Sequence, residues 1–275
     1  MIKNLIDSLV DLYFDYNIVF LHIQKSTRKE KMRIQKYISQ CGVCSRREAE
    51  RKIEEGRVFV NGVPAEIGQD INPDTDKVIV DGKRVRGIVE EKVVLAMNKP
   101  KGYLCTNSDP FEAQTVFDIL PEPFSQMKLF CCGRLDKNSK GLLILTNDGD
   151  LANKITHPSN NIIKRYHVQL NREIDKKIIP VLLRGVMHEG EKLKAEKIIP
   201  DTSVTENANK RVEVWLNQGR KREIRRMFEV MGYFVKELKR VQIGGYVMKR
   251  IPQGAVKILG KKDISRLLES GENYE

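Results

Sequence analysis

The stretch "FCCGRLDKNSKGLLILTNDGD", residues 130–150, constrains the fold of this chain more than any other feature. Four consecutive apolar residues, 142–145, lie between two polar turns that contain glycine. Such a short apolar run between turn residues is typical of a strand buried in a sheet. The preceding turn contains one carboxylate, Asp136, two residues after Arg134. Aspartates in turns commonly bond to nearby backbone N–H groups, so a structural role stays open beside a chemical one.

Two short helices and a hairpin-rich sheet are predicted in front of this strand. Ser45 and Glu48 form the pattern of a helix capping box, and Gly56 is placed where that helix should end. Each of the stretches "RVFVNGVPA" and "KVIVDGKRV" joins two apolar β-type runs through an Asn-Gly or Asp-Gly turn. This pattern is a strong indication of tight β-hairpins.

Strands and helices alternate irregularly in the remainder of the chain. "RYHVQL" and "RVEVWL" have the period of two that is typical of sheet strands. "TVFDILPEP" is predicted to form a short helix stopped by proline, and "KREIRRMFEVMGY" a helix that ends at Gly232. Without a regular βαβ rhythm, the order of elements predicts the α+β class. We expect a small helix-hairpin domain followed by a domain built on a mixed, mainly antiparallel sheet.

Three segments follow from these patterns. Residues 1–31 form an N-terminal extension whose role the sequence does not indicate. Residues 32–90 form the small first domain, and "RGIVEEK" at its end has the composition of a linker. Residues 91–270 form the second domain.

The charge of the chain predicts a polyanionic partner. The formal net charge is +12, and 31% of the residues are charged. A surplus of this size favours binding to nucleic acid or to an anionic membrane. The membrane is the weaker candidate, because the longest apolar runs, such as 18–20 and 93–97, are far shorter than the roughly 20 residues that span a bilayer. We therefore expect no membrane partner. Five cysteines, an odd number, favour the reducing cytoplasm.

Most of the surplus positive charge lies in residues 210–250, which contain twelve Lys or Arg and four acidic residues. On the helix predicted there, Arg225 borders the apolar face formed by Ile224 and Met227. An arginine at such a border needs a partner, because an unpaired charge costs several kcal/mol to desolvate. It could simply extend its head group to solvent. It could also pair with a carboxylate of an active site.

Several common kinds of site are excluded by the absence of their motifs. The sequence has no Walker-type phosphate loop, no G-x-G-x-x-G after a strand and no G-x-S-x-G turn. The four histidines have no metal-ligand spacing. Cys41 and Cys44 form a single C-x-x-C without the second pair that a structural zinc site requires. We therefore expect neither a metal nor a cofactor.

The segment "MRIQKYISQCGVCSRREAERKIEEGRVFVNG" resembles the S-four-type RNA-binding domain, named after a small-subunit ribosomal protein. The likeness covers almost the whole segment. It implies that Arg46, Arg47 and Arg51 face structured RNA.

The second domain resembles the RsuA-type family of ribosomal RNA pseudouridine synthases. Four motifs occur in the family's order between Met32 and Gly244, behind the S-four-type domain that this family usually carries. They are "NKPKG" at 98–102, "GRLDKNSKGLLILTNDGDL" from 133, "KRYHV" at 164–168 and "GRKREIRRMFEVMGYFVKELKRVQIG" at 219–244. The resemblance implies an isomerase that breaks the bond from ribose to N1 of uracil, turns the base and rejoins it through C5.

The resemblance also implies roles for individual residues. Asp136 would be the catalytic carboxylate, attacking the base or the sugar or assisting elimination at the ribose. Tyr166 would stack on the target base and handle a proton, and Arg225 would pair with Asp136. Arg134 would take the place of the displaced base, since an enzyme cannot reach atoms inside a duplex without displacing the base.

The remaining expectations concern partners and substrate. Arg220 and Arg222, in the basic stretch, are predicted to bind RNA. The resemblance implies ribosomal RNA or a pre-ribosomal particle as partner, no cofactor, and a monomer that acts in the cytoplasm. The large-subunit, RluB-like branch is favoured. Two alternatives stay open: a small-subunit rRNA substrate, and a catalytically silent ribosome-assembly factor on the same fold.

Overall fold

The structure, a computed structural model, describes residues 31–86, 91–107, 113–203 and 208–270. The chain divides into two compact units, 1–90 and 91–275, which are described separately. The predicted extension, 1–31, lies outside the described residues apart from Lys31.

The described part of the first unit contains two helices and six short strands. In chain order these are β1 (Met32–Arg33), α1 (Ile34–Gln40), α2 (Arg46–Glu54), β2 (Val58–Val60), β3 (Val63–Pro64), β4 (Asp70–Ile71), β5 (Val78–Val80) and β6 (Lys83–Arg84). Four strands form an antiparallel sheet in the order β3-β2-β5-β6, and β1 pairs with β4. The two predicted hairpins are therefore confirmed as β2–β3 and β5–β6.

Local sequence signals account for the second helix of this unit. Ser45 caps α2, because its hydroxyl accepts a hydrogen bond from the backbone N–H of Glu48 at 3.2 Å. Gly56 follows the helix with φ +68°, a left-handed conformation that favours glycine. Ala49 and Ile53 pack from α2 against Ile34 of α1 in the core of the unit. The predicted capping residue and stop are both confirmed.

The second unit consists of a large sheet with helices and loops. Its strands are β7 (Val94–Lys99), β8 (Phe130–Cys132), β9 (Lys140–Thr146), β10 (Lys164–Leu170), β11 (Val186–His188), β12 (Glu191–Leu193), β13 (Lys197–Pro200), β14 (Arg211–Leu216), β15 (Val235–Ile243), β16 (Tyr246–Val247) and β17 (Val256–Ile258). Its helices are α3 (Gly149–Thr156), α4 (Ile179–Arg184), α5 (Glu223–Val230) and α6 (Lys261–Leu267). Short 3₁₀ helices lie at Phe124–Gln126, Pro158–Asn160, Lys176–Ile178 and Ala208–Lys210.

Nine of these strands form one sheet, and β11 and β12 form a separate hairpin. The main order is β13-β14-β10-β15-β9-β7-β17, with β16 paired to β15 and β8 paired to β9. Among the strands described, β9 and β15 form the one parallel pair of this sheet, and all other neighbours are antiparallel. The predicted α+β class with a mixed, mainly antiparallel sheet is confirmed.

The apolar run that most constrained the sequence forms the central strand β9. Successive side chains of a strand point to opposite faces of the sheet. Leu142 and Ile144 pack with Val94 in one cluster, whereas Leu143 and Leu145 pack in another. Because both faces are covered, this strand is apolar throughout instead of alternating.

The structure corrects the predicted helix at "TVFDILPEP". Residues 116–119 form a turn, closed by bonds from Asp118 N to Thr115 O and from Leu120 N to Phe117 O, both 3.2 Å. The carboxylate of Asp118 also accepts a bond from Thr115 N at 2.6 Å. This side-chain bond competes with helix formation, and Pro121 prevents the turn from continuing as a helix.

The predicted helix at "KREIRRMFEVMGY" begins later than expected. It starts at Glu223, and Arg222 precedes it with φ +52°. Arg222 therefore lies just outside the helix that was predicted to contain it, whereas Arg225 and Arg226 lie inside α5. The end near Gly232, which has φ +72°, is confirmed.

Gly141 allows a close approach between β9 and β15. Its φ is +104°, and a Cβ added there would lie 2.2 Å from Arg240 O and 2.9 Å from Arg240 N. Both atoms belong to the backbone, so neither can move without shifting the strand. Only glycine fits this position without disturbing the parallel pairing.

We predict that Gly141→Ala destabilises the protein by about 3 kcal/mol or more, because a left-handed φ and an overpacked backbone contact add together. Chemical denaturation of the purified protein measures this. Gly219→Ala is the matched control, since its φ is not left-handed and a Cβ there meets nothing within 4 Å. Equal stability of the two variants would contradict the close approach.

Candidate active site

Asp136 lies in the turn between β8 and β9, shortly before the start of the central strand β9. The turn is held by a bond from Ser139 N to Asp136 O at 2.9 Å and by one from Gly102 N to Lys137 O at 2.8 Å. The side chain of Asp136 is 32% exposed. Its carboxylate therefore reaches solvent while its backbone is fixed.

The side chain of Lys99 anchors the same turn through hydrogen bonds to its backbone carbonyl groups. Lys99 ends β7 and is fully buried. Its Nζ lies 2.9 Å from Ser139 O, 3.0 Å from Pro100 O, 3.3 Å from Asp136 O and 3.4 Å from Lys137 O. Three N–H donors are thus shared among four carbonyls, three of which belong to the Asp136 turn.

Burial lowers the pKa of Lys99 below its usual value, while nearby Cys105 and Asp136 raise it. The carbonyl oxygens favour the protonated form, because only an ammonium group can donate to several of them at once. Lys99 belongs to the "NKPKG" motif, but no role was predicted for it from the sequence. The available signal was a lysine two residues beyond the apolar run 93–97.

Arg225 reaches the Asp136 turn from α5. Its Nε lies 3.9 Å from Asp136 Oδ2, an ion pair that is too long for a hydrogen bond. Its Nη1 donates to Val235 O at 2.7 Å and its Nη2 to Asn138 O at 3.3 Å. Within the described residues the buried Nε has no hydrogen-bond partner. Arg225 therefore both supports the turn and places a positive charge beside the carboxylate.

The guanidinium of Arg225 is largely desolvated, and its side chain is only 12% exposed. This burial lowers the pKa of Arg225 below its usual value, and the neighbouring Arg222 lowers it further, whereas Asp136 raises it. An arginine still remains charged at neutral pH because its usual pKa is so high. The structure thus brings together two of the predicted site residues, Asp136 and Arg225.

Tyr166 lies in a row of residues that crosses four strands. Lys99 is paired with Gly141, Gly141 with Arg240, and Arg240 with Tyr166. Residues directly opposite each other in a sheet point to the same face. Lys99, Arg240 and Tyr166 therefore share one face of the sheet.

Tyr166 and Arg240, like Lys99, are largely buried, and Arg240 was not expected at this site. Tyr166 is 7% exposed and packs in one cluster with Leu135 and Ile224. Arg240 is 4% exposed, and its Nε donates to Leu142 O at 2.7 Å. Its Nη2 has no hydrogen-bond partner among the described residues. Sequence reasoning counted Arg240 only as part of a basic stretch.

The other arginines predicted in this domain differ in their surroundings. Arg134 and Arg222 are exposed, and their side chains form no ion pair or hydrogen bond within the described ranges. The Nη1 of Arg220 instead donates to Lys192 O at 2.6 Å, and its backbone N–H donates to Glu223 at 3.0 Å. Arg220 therefore helps to fix the start of α5, whereas Arg134 and Arg222 are available to a ligand.

The three arginines predicted in the first unit also differ. Arg46 and Arg47 are exposed in the first turn of α2 and form no ion pair in the described part of the chain. Arg51 is bonded to Glu48 at 2.6 Å and lies 3.2 Å from Glu55. Two carboxylates thus already occupy the guanidinium of Arg51.

Two further features bear on function. In the residues described, no group of three or more His, Cys, Asp or Glu side chains is arranged to hold a metal ion. No helix within the described ranges has the length and apolar character needed to cross a membrane.

The geometry limits the chemistry that this site can perform. One carboxylate, accessible to solvent and fixed by its backbone, lies beside a desolvated guanidinium and near the face that carries a tyrosine. An ionised carboxylate can act as a nucleophile or stabilise a cationic sugar. Both tasks belong to chemistry at a glycosidic bond.

Comparisons with known proteins point to the same chemistry. A family model described as RNA pseudouridylate synthase matches residues 93–230, and one described as S4 domain matches residues 32–75. The ribosomal large subunit pseudouridine synthase B of Vibrio vulnificus is 37% identical over 241 residues, which cover 86% of this chain and 74% of that protein.

Two more relatives agree. The dual-specificity RNA pseudouridine synthase RluF of Escherichia coli is 38% identical over 243 residues, 88% of this chain and 80% of that protein. A crystal structure described as a pseudouridylate synthase superimposes with a TM-score of 0.61 at 27% identity, covering 86% of this chain and 99% of the other. These findings confirm the resemblance predicted from the motifs. The chain belongs to the RNA pseudouridylate synthase family and carries an S4 domain in front of the synthase region.

Proposed function

We propose that this pseudouridine synthase isomerises uridine in ribosomal RNA of the large subunit, with Asp136 as its catalytic carboxylate. The observation that carries the proposal is the position of Asp136, in a turn anchored by buried Lys99 and 3.9 Å from Arg225. The choice of the large subunit rests on the name of the Vibrio relative, a ribosomal large subunit pseudouridine synthase. Because the Escherichia coli relative is named dual-specificity, other RNAs belong in the substrate test.

The proposed reaction exchanges one glycosidic bond for another. The bond from ribose C1′ to N1 of uracil breaks, the base turns, and C1′ joins C5. A proton leaves C5 and one is gained at N1, so no group is added or lost and no cofactor is needed. Asp136 either forms a covalent bond during this exchange or assists elimination at the ribose, and Arg225 keeps a positive charge beside it.

The neighbouring residues are proposed to place the base. Tyr166 stacks on the target uracil and handles a proton, from the sheet face that also carries Lys99 and Arg240. Arg134 is exposed on the same turn as Asp136 and is proposed to fill the space that the displaced base leaves. Arg222 is proposed to contact the RNA backbone near the start of α5.

The proposal extends to the organisation of the protein. Residues 32–90 are proposed to be the RNA-binding domain and residues 91–270 the catalytic domain, supported by the two matched families. Action as a monomer belongs to the same proposal. Five free cysteines support the reducing cytoplasm, where ribosomal RNA would be the partner.

We predict that Asp136→Asn lowers pseudouridine formation by at least about 10³-fold, because the amide keeps the shape but removes the charge and nucleophilicity. To measure this, ribosomal RNA from a strain that lacks the gene is incubated with the wild-type or the variant protein, and its pseudouridines are then mapped. Asp175→Asn is the control, since Asp175 is exposed and an asparagine can keep its bond to Lys177 N. If Asp136→Asn kept near wild-type activity, Asp136 would not be the catalytic carboxylate. If the wild-type protein formed no pseudouridine either, it would be an RNA-binding protein on the same fold.

A second prediction separates Arg225 from its neighbour. Arg225→Ala should reduce kcat by about 10²-fold or more, because Asp136 loses its positive partner. Its loss of two hydrogen bonds should cost only about 1–3 kcal/mol of stability. Arg226→Ala is the matched control on the same helix, since Arg226 pairs with Glu191 at 2.6 Å instead of with Asp136. Equal kcat per folded molecule in both variants would make Arg225 merely structural.

A third prediction tests the first domain. The double variant Arg46→Ala/Arg47→Ala should bind RNA more weakly, and its log Kd against log salt slope should fall by about 1.4–1.8 if both residues contact phosphates. Arg51→Ala should change the slope less, because Glu48 and Glu55 already neutralise this residue. Filter binding at several salt concentrations measures both. An unchanged slope in the double variant would mean that α2 does not contact RNA.

A further inference from the structure

Two thiols lie directly behind the Asp136 turn, and the proposed reaction uses neither. The backbone N–H of Leu135, the residue before Asp136, donates to Cys105 Sγ at 3.4 Å. Cys131 lies on β8, which leads into the same turn. Both cysteines are reduced and only partly buried. They therefore combine contact with the turn and access from solvent.

Contacts on both sides of Cys131 hold the two segments together. Asn107 Nδ2 donates to Leu129 O at 2.7 Å, and Leu135 N donates to Cys105 Sγ. The segment 105–107 thus runs alongside residues 129–135, with Cys131 between the two contacts. Both cysteines pack on the same apolar cluster, and the Cys131 thiol hydrogen-bonds to Cys105.

The surroundings make the two sulfurs unequal. The hydrogen bond from Cys131 lowers the pKa of Cys105 well below its usual value, and the Leu135 N–H, Lys99 and Arg240 lower it further against the effect of burial. The same hydrogen bond raises the pKa of Cys131, and burial raises it further. One sulfur therefore favours the thiolate and the other keeps its proton, the division of roles found in an attacking and a resolving cysteine.

We propose that Cys105 and Cys131 form a modification site for hydroperoxides, which oxidise the pair to an intramolecular disulfide. The Cys105 thiolate attacks one peroxide oxygen and the O–O bond breaks, which gives Cys105 sulfenic acid and releases the other oxygen as hydroxide, or as alkoxide from an organic hydroperoxide. The sulfur of Cys131 then attacks the sulfenic sulfur, and its proton leaves with the displaced oxygen as water. The two sulfurs lose two electrons in total, and the peroxide gains them.

Oxidation should affect the Asp136 turn. The Leu135 N–H would lose a negatively charged acceptor, and Lys99 and Arg240 would lose a nearby compensating charge. Because Leu135 precedes Asp136 in the chain, a shift of this contact moves the carboxylate. A thiolate reductant would reverse the change.

Peptide mapping tests the modification directly. The reduced full-length protein is treated with hydrogen peroxide at neutral pH, blocked with iodoacetamide and digested with trypsin. Cys105 falls in peptide 102–128, and Cys131 and Cys132 fall in peptide 129–134. We expect these two peptides to be joined by a bond that dithiothreitol breaks, and fragmentation to assign the bond to Cys131.

Variants make the assignment sharp. Cys131→Ser should abolish the joined peptides and leave a Cys105 sulfenic acid that dimedone traps. Cys132→Ser is the matched control and should keep the joined peptides, since Cys132 is buried in a different cluster. A joined pair that contains Cys132, or Cys105 oxidised no faster than Cys132 in the wild type, would overturn the proposal.

The effect on activity is a separate readout. Peroxide should lower wild-type pseudouridine formation by at least about half, with recovery after dithiothreitol, because a displaced carboxylate loses its alignment. Each variant is compared with its own reduced sample, and Cys105→Ser should be insensitive. If the reduced protein forms no pseudouridine, the proposed function fails while the peptide map still decides whether the thiol pair exists.

Discussion

The hydrogen bonds of the buried Lys99 ammonium group are the interaction on which the Asp136 turn depends. Removing a charge from water costs several kcal/mol unless nearby groups replace the lost hydration. Here four carbonyl oxygens at 2.9–3.4 Å provide that replacement, and three of them belong to the turn from Asp136 to Ser139. The turn and the lysine therefore stabilise each other. A carboxylate on such a backbone keeps its position without reorganising when the substrate arrives, which favours catalysis.

The sheet supplies the remaining geometry through one position without a side chain. Gly141 allows the backbone of Arg240 to approach β9, so that Lys99, Arg240 and Tyr166 form one row across four strands. Any larger residue there would separate the parallel strands and move Tyr166 relative to the turn. The same close approach thus determines both the packing of the central strands and the relative positions of the site residues.

The sequence predicted the elements whose signal is local and missed the groups whose role depends on tertiary contacts. The strand at Leu142–Leu145 was predictable because a four-residue apolar run between turns that contain glycine is too short for a typical helix and fits a buried strand. The position of Arg225 at the edge of an apolar face was predictable from helical geometry, and the structure places it beside Asp136. Lys99 and Arg240 could not be identified in this way. The local sequence does not show whether the head group of a lysine or arginine is surrounded by solvent or by buried carbonyl groups.

The positive side chains around Asp136 fall into an exposed set and a buried set, and the two sets have different electrostatic effects. RNA is a polyanion, so a carboxylate meant for chemistry on it faces repulsion from the approaching phosphates. Exposed Arg134 and Arg222 are proposed to attract those phosphates, but salt screens exposed charges over about 8 Å at physiological ionic strength. Lys99 and Arg225 are buried beside the turn, in a medium of lower dielectric where screening by salt is weak. Their positive charge would therefore reduce the repulsion between Asp136 and the phosphates under conditions in which surface arginines alone would not.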